Sequence, residues 1–198
     1  MDNIVTFRDF EERDIDFIYK CKNDAKLNEL TVGQYHPFSY KETENWVKGC
    51  MGEHNEYKFW AVCKNNESKD IIGWTSISKI DKANKKAFFH GIVIADPKYK
   101  IGIPWIEIQL FVMNYAFNIL NLHRLEYSCL SDHKVSMAIG PVMFFAQEGL
   151  FKEAVFKNNR FYDLAYFGLL KDEYFSHLYK GDYELFNILE RYANFRKK

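Results

Sequence analysis

A basic loop lies between an apolar strand and a long helix in the middle of the chain. Lys98 and Lys100 follow an apolar segment rich in β-branched and aromatic residues, which ends at Asp96-Pro97 as a buried strand would. Gly102 comes next, and a run with helical spacing then begins. A strand, a loop and a helix start in this order present backbone N–H groups and the positive end of a helix dipole to an anion. The sequence therefore predicts an anion-binding loop.

Two elements must hold this loop at its ends. The β-branched and aromatic run from Lys85 to Asp96 predicts a buried strand before it. Apolar residues at spacings of three and four predict the helix after it, namely Ile106, Leu110, Met113, Phe117 and Leu120.

The rest of the chain alternates predicted strands with predicted helices. Short runs of β-branched and aromatic residues predict strands at 4–8, 57–64, 71–80, 125–130, 150–156 and 161–170. Helices are predicted at 14–22, at 39–51 and at 135–147, the last bent or broken by Gly140-Pro141 and C-capped by Gly149. Asp182 is predicted to cap a final helix whose apolar stripe packs on the parent domain; a dimer contact and a lid are the alternatives.

Composition narrows the class of protein. The 198 residues include 27 basic and 27 acidic side chains, so there is no electrostatic case for nucleic acid or an anionic membrane as a partner. No apolar stretch approaches the roughly 18 residues of a membrane span, and the N-terminus has no signal-peptide pattern. We expect a cytoplasmic protein, and near-zero net charge leaves a homodimer open. The four cysteines form no C-x-x-C pair, so we expect neither a metal site nor a disulfide framework.

Two segments resemble the GNAT N-acetyltransferases, in particular the ribosomal-protein N-terminal and amino-sugar acetyltransferases. They are Ile94-Ala95-Asp96-Pro97-Lys98-Tyr99-Lys100 and Asn121-Leu122-His123-Arg124-Leu125-Glu126. The likeness extends from about Ile4 to about Leu170. It implies an α/β fold of the acyl-CoA N-acyltransferase type, with a mixed sheet of about six or seven strands flanked by helices. It also implies a GNAT-like domain at 1–170 and a helical extension at 171–198 packed on it.

The resemblance implies that amides of the basic loop hold the pyrophosphate of acetyl-CoA. The family pattern there is Arg/Gln-x-x-Gly-x-Gly/Ala. One register places Lys100 at the basic position but Ile103 and Trp105 at the two glycine positions. Side chains at those positions would intrude on the phosphates, since glycine is used where backbone must approach a ligand closely.

A second register shifts the pattern by one residue. Gly102 then becomes the first glycine, but Tyr99 takes the basic position and Pro104, which lacks an N–H, takes the second glycine position. Across both registers the resemblance assigns donor contacts to the end of the strand and to the loop: Ile92, Val93, Ile94, Lys98, Lys100, Ile101, Gly102, Ile103 and Trp105.

The family's acid and base are both replaced here. The acid is commonly a tyrosine on the helix after the fifth strand, four residues before a Gly-Phe; counting back from Gly149 reaches Phe145, which has no hydroxyl. Tyr127 is an alternative acid, although a strand tyrosine is more often a packing residue. In the family, a glutamate that acts as the base often lies two residues before the glycine of the central strand. Here that position is occupied by Phe89.

His90 is the candidate for the missing base, because imidazole titrates near neutral pH. Side chains alternate along a strand, so His90 and Phe89 point to opposite faces, and only a bulge would let His90 take over. A structural role for His90 stays open. In relatives the first two helices and the loop between them help to form the acceptor pocket, and a Trp-Arg-Asn-Asp run found there reads Cys21-Lys22-Asn23-Asp24 here.

Two functions are consistent with these residues. The first is transfer of an acetyl group from acetyl-CoA to a primary amine of a small molecule, an amino sugar or a protein N-terminus. The second is a lapsed or repurposed homologue that does not bind acetyl-CoA and holds another ligand or a protein partner. Fold does not decide between them, because function depends on the site.

Overall fold

The structure, a computed structural model, describes residues 3–33, 36–100 and 102–195. The chain divides into two compact units. The first comprises Met1–Glu29, Tyr35–Ile80 and His90–Val112, and the second comprises Leu30–Gln34, Asp81–Phe89 and Met113–Lys198. Ile101, one of the predicted donor residues, lies outside the described residues. The expected domain boundary after Leu170 stays a prediction.

Among the described residues, seven strands form one mixed sheet in the order β1-β2-β3-β4-β5-β7-β6. Their bounds are β1 Val5–Arg8, β2 Tyr57–Lys64, β3 Ile71–Asp81, β4 Lys86–Ile94, β5 Arg124–Leu130, β6 Ala146–Lys157 and β7 Arg160–Leu170. β4 pairs in parallel with β5, whereas β1–β2, β2–β3, β5–β7 and β6–β7 are antiparallel. The predicted mixed sheet flanked by helices is confirmed.

In the described part of the chain, six α-helices accompany the sheet: α1 Ile15–Lys22, α2 Tyr40–Cys50, α3 Ile103–Asn114, α4 Lys134–Val142, α5 Lys171–Tyr179 and α6 Leu185–Phe195. α3 continues into a π-helical turn at Tyr115–Ile119. α2 begins as predicted, because the Ser39 hydroxyl accepts from the Glu42 amide at 3.2 Å and the Glu42 carboxylate accepts from the Ser39 amide at 2.7 Å. None of the described helices is long and apolar enough to cross a membrane.

α3 is tied to the first strands of its unit by one carboxylate and one aromatic ring. The Glu107 carboxylate accepts from the amides of Ile4 and Val5, each at 3.0 Å. The Phe111 ring stacks on Phe7 at a centroid distance of 3.8 Å. These contacts fix the direction in which α3 leaves the loop.

The second unit includes the segment Leu30–Gln34, which is distant in sequence from the rest of that unit. The buried ammonium of Lys157 donates to the carbonyl oxygens of Thr31 at 2.8 Å and Gly33 at 3.0 Å. Lys157 precedes the β6–β7 turn, where Asn158 and Asn159 have φ values of 50° and 58° as a two-residue hairpin turn requires. The predicted hairpin around these two asparagines is confirmed.

Three predictions near the C-terminus are wrong. The helix predicted to reach 147 ends at Val142, directly after the Gly140-Pro141 pair that was predicted to bend or break it. Gly149 consequently lies inside β6 and caps no helix. α5 was not predicted, and Asp182 does not begin α6 but accepts from His177 Nδ1 at 2.8 Å.

Candidate active site

β4 bends at a glycine in its second half. Gly91 has a φ of +88°, in the left-handed region that glycine adopts readily and that a bulge often uses. The Thr75 hydroxyl donates to the Gly91 carbonyl at 2.9 Å and holds the bend from the neighbouring strand. His90 Nε2 lies 2.5 Å from the Ser78 hydroxyl oxygen, also on β3. The bend therefore adjoins a histidine whose ring is oriented by a serine.

His90 faces the side of the first unit's sheet that carries α1 and α2. Ser78 lies opposite Tyr57 in the β2–β3 register, and Trp74 on the same face packs against Trp46 of α2. The side chain is exposed, yet desolvation by nearby protein atoms, followed by the positive charge of Lys79, lowers the pKa of His90. Neutral imidazole, the form that accepts a proton, is favoured.

Phe89 points away from this face. It is 3% exposed and belongs to the core. The position that carries a basic glutamate in relatives is thus filled by a buried ring, so no proton acceptor can act from there.

The loop after β4 is organised by Asp96. Its carboxylate accepts from the Lys98 amide at 3.0 Å, and its carbonyl accepts from the Tyr99 amide at 3.0 Å. Lys98 and Lys100 are exposed. Two ammonium groups are therefore available to solvent beside the start of α3.

Gly102 immediately precedes α3 with a φ of +81°, and apart from its chain neighbours no atom of the described residues lies within 4 Å of where a Cβ would stand. The amides of Gly102 and Ile103 donate to no acceptor among the described residues, whereas the Ile106 amide donates to the Gly102 carbonyl at 3.2 Å. Pro104 is buried in the first turn, where its missing N–H costs nothing. The arrangement is an exposed, unencumbered helix N-terminus, as an anion requires.

The remaining residues predicted to contact acetyl-CoA differ in how far they are buried. Ile94 is buried in a cluster with Val5, Val62, Ile72 and Ile108, so only its backbone is available to a ligand. Ile92, Val93 and Trp105 are half-buried. A Cβ at Gly73 would lie 1.9 Å from the Val93 carbonyl oxygen, which shows how closely β3 approaches this part of β4.

Tyr127, in the second unit, is a packing residue. Its ring stacks on Phe167 at 4.6 Å and meets Phe145 edge-on at 5.2 Å. Its hydroxyl donates to the Ser136 carbonyl at 3.1 Å, and burial raises the pKa of Tyr127. The proton is held inside the protein, so Tyr127 does not replace a catalytic acid.

The end of α4 has an unusual backbone conformation. Phe144 has a φ of +65°, the left-handed conformation that favours glycine, and Phe145 follows it as a buried ring. Phe144-Phe145 thus adopts a conformation suited to a Gly-Phe pair, and the residue four places before Phe144 is Gly140. A Cβ at Gly140 would lie 2.0 Å from the Tyr127 hydroxyl oxygen, so no tyrosine fits there. The proline at 141 was the sequence signal for this early helix end.

Sequence reasoning did not identify an aromatic layer on the same face of the sheet as His90. Trp46 contacts Phe59 edge-on at 5.2 Å, and the Lys22 ammonium lies 3.6 Å from the Trp46 ring centroid and 4.7 Å from that of Phe38. Asn23 fixes Phe38 by accepting from its amide at 2.9 Å and donating to its carbonyl at 3.2 Å. Contacts between α1, α2 and the loop create this layer, so no local pattern predicts it.

The amino-acid sequence is similar to that of known acetyltransferases. A family model described as an acetyltransferase (GNAT) domain matches residues 5–140. The chain is 24% identical over 175 residues to a spermidine N(1)-acetyltransferase of Vibrio cholerae, covering 88% of this chain and 97% of that one. It is 28% identical over 172 residues to the N-acetyltransferase p20 of Bacillus licheniformis, covering 86% and 94%.

Solved structures share the fold. One is a spermidine N-acetyltransferase from Vibrio cholerae in complex with CoA and spermine, with a TM-score of 0.75 and 23% identity over 87% of this chain and 98% of that one. Another is a GCN5-related N-acetyltransferase from Brucella melitensis, with a TM-score of 0.75 and 19% identity. That match covers 98% of this chain and 93% of the other, so it extends into α5 and α6.

Proposed function

This chain belongs to the GNAT acetyltransferase family, and from that premise we propose that it moves an acetyl group from acetyl-CoA to a primary amine. The amine is carried by a small molecule, an amino sugar or a protein N-terminus. The observation that carries the proposal is the open start of α3, where Gly102 takes the conformation that glycine favours and two amides donate to no described acceptor.

Acetyl-CoA would be held mainly by backbone N–H groups rather than by the residues of the family's loop pattern. The open space at Gly102 lets a phosphate approach the chain, and the amides of Gly102 and Ile103 supply N–H donors. Lys98 and Lys100 would add positive charge beside them. Acetyl-CoA, when bound, supplies an activated thioester.

His90 would accept the proton that the acceptor ammonium must lose before its nitrogen can attack. Ser78 would orient the ring, since its hydroxyl oxygen lies 2.5 Å from Nε2. The second unit offers no side-chain acid on α4, because Gly140 has no side chain and the Tyr127 proton is engaged. The reaction would then depend chiefly on approach and orientation, which can supply much of an enzyme's acceleration.

Calorimetric titration of the purified protein with acetyl-CoA and with free CoA tests the donor site. We expect micromolar binding of both, followed by acetyl transfer to at least one amine of a broad panel. His90→Gln should lower kcat by about 100-fold or more without changing donor affinity. Absence of binding at millimolar CoA would overturn the proposal and favour the lapsed or repurposed homologue.

A further inference from the structure

We propose that Lys22 binds a carboxylate on the acceptor, so that the substrate is a primary amine that also carries a carboxylate. The inference rests on the proposed function and names the class of its acceptor. It concerns the aromatic layer of Lys22, Trp46, Phe38 and Phe59 in the first unit.

The Lys22 ammonium makes cation–π contacts but has no hydrogen bond or ion pair within the described part of the chain. It is half-buried at the end of α1. Desolvation lowers the pKa of Lys22, although coulombic interactions with Cys50 and Glu42 act in the opposite direction. Three N–H donors are therefore held near the surface without an oxygen acceptor.

Another shielded lysine of the first unit, Lys58, is paired with carboxylates, whereas Lys22 is paired with none in the part of the chain that the structure describes. The Lys58 ammonium, which is buried, lies 2.7 Å from Asp9 and 2.8 Å from Glu53. The carboxylate whose charge acts on Lys22 is that of Glu42, but Glu42 accepts from the Ser39 amide and forms no ion pair with Lys22 among the described residues. An ammonium left unpaired in such surroundings is suited to a ligand's anion.

The aromatic layer is rigid, so Lys22 is held in position for recognition. Asn23 clips the backbone of Phe38 with two hydrogen bonds. Trp46 is fixed edge-on against Phe59 at 5.2 Å and against Trp74 at 6.4 Å. Preorganisation of this kind lowers the entropic cost of binding.

The same face leads from Lys22 to the candidate base. Trp46 contacts Phe59, Phe59 contacts Tyr57 at 5.9 Å, and Tyr57 lies opposite Ser78, the partner of His90. An acceptor lying on these rings would place its amine beside His90 and its carboxylate beside Lys22. A polyamine, which has only positive groups, would instead be repelled by Lys22.

The test uses matched pairs of primary amines, each prepared as a free carboxylate and as its carboxamide. Because Lys22 and His90 lie at opposite ends of the row of rings from Trp46 to Tyr57, the probes are ω-amino acids of increasing chain length, with 6-aminohexanoate and 6-aminohexanamide as the first pair and spermidine as a further probe. Binding to the CoA-saturated protein is followed by calorimetry and by tryptophan fluorescence, since Trp46 lies against Lys22. We expect at least one carboxylate to bind roughly tenfold more tightly than its carboxamide, which corresponds to about 1.4 kcal/mol. Spermidine should bind more weakly than that carboxylate.

Lys22→Met should abolish the preference for the carboxylate, and Lys22→Arg should retain part of it. Lys20→Met is the matched control on the same helix, because Lys20 is exposed, and it should change nothing. Equal binding within every pair, a preference for carboxamides, or no binding by any pair would overturn the inference.

Turnover with the same amines separates the two proposals. Transfer to carboxamides and carboxylates alike would leave the acetyltransferase proposal standing and remove the role of Lys22. A preference for carboxylates in binding, without transfer to any amine, would do the reverse.

Discussion

Two segments of this chain have the same arrangement, a strand followed by a short loop and a helix. They differ in whether the first amides of the helix are open or capped. After β4 the loop is exposed, Gly102 has a φ of +81°, and the first amides of α3 are open. After β5 the first turn of α4 is closed, because His133 Nδ1 accepts from the Ser136 amide at 3.3 Å. One helix start is available to a ligand and the other is satisfied by its own cap.

The difference extends to the far end of α4. Phe144 is stacked on His177 at 3.5 Å, and the Arg191 guanidinium lies 4.4 Å from the other contact of the same ring. The Arg191 Nε donates to the Val142 carbonyl at 3.1 Å, so α6 secures the end of α4. Backbone-based anion binding tolerates exchange of side chains, whereas a catalytic hydroxyl is lost with the residue that carried it. The predictions below test this contrast.

The largest expected effect is at Phe144. Phe144→Ala should lower the free energy of unfolding by about 3 kcal/mol, because the stack with His177 and Arg191 is lost. Phe144→Gly should cost about 1 kcal/mol less, since glycine accepts the positive φ. Urea denaturation measures both, with Phe161→Ala as a control on a ring that is 59% exposed. If Phe144→Ala cost no more stability than the control, the contacts of Phe144 with His177 and Arg191 would not stabilise the end of α4.

The second prediction concerns the loop after β4. Gly102→Trp should weaken acetyl-CoA binding by roughly 30-fold or more, because a side chain at positive φ strains the loop and enters the space for the phosphates. Gly52→Trp is the control, since Gly52 has a φ of +82° and equally open surroundings. Both variants should lose similar stability, but calorimetry should show weaker donor binding only for Gly102→Trp. Equal affinity in the two variants would remove the loop from the donor site.

Gly140 and Tyr127 should show a coupling of about 1 kcal/mol. Gly140→Ala should destabilise the protein, because its Cβ would meet the Tyr127 hydroxyl oxygen at 2.0 Å. Tyr127→Phe removes that oxygen, so the double variant should be more stable than the sum of the single effects implies. A strictly additive double-mutant cycle, measured by urea denaturation, would show that the α4 packing leaves room for a side chain.

The smallest expected effect is a shift in the pH dependence of the rate. Protonated His90 cannot accept a proton, and desolvation by nearby protein atoms together with the charge of Lys79 lowers the pKa of His90 and so disfavours the protonated form. The acidic limb of kcat/KM should therefore lie below pH 6.5, about the ordinary pKa of histidine, and the rate should be level above it. His90→Gln should abolish this limb. A limb above pH 6.5 in the wild type would assign the titration to another group.

Much of the fold follows from local patterns. The capping box at Ser39, the strand at 57–64 and the Asn158-Asn159 turn depend on residues close together in sequence, and all three are present. The predicted end of α4 was wrong because Gly149 resembles a helix cap, whereas the helix ends at Val142, directly after Gly140-Pro141. Both signals are present in the sequence, and local pattern does not decide between them.

The amino-acid sequence by itself determined the GNAT family, the mixed sheet and the place of the loop before α3, because periodicity, caps and turns are local. Tertiary structure alone decided that Gly102 leaves its amides open, that Tyr127 fills the space above Gly140, and that Lys22 rests on Trp46. Each of these depends on contacts between elements distant in sequence, where the burial of one group and the pairing of its neighbours set what remains available for chemistry.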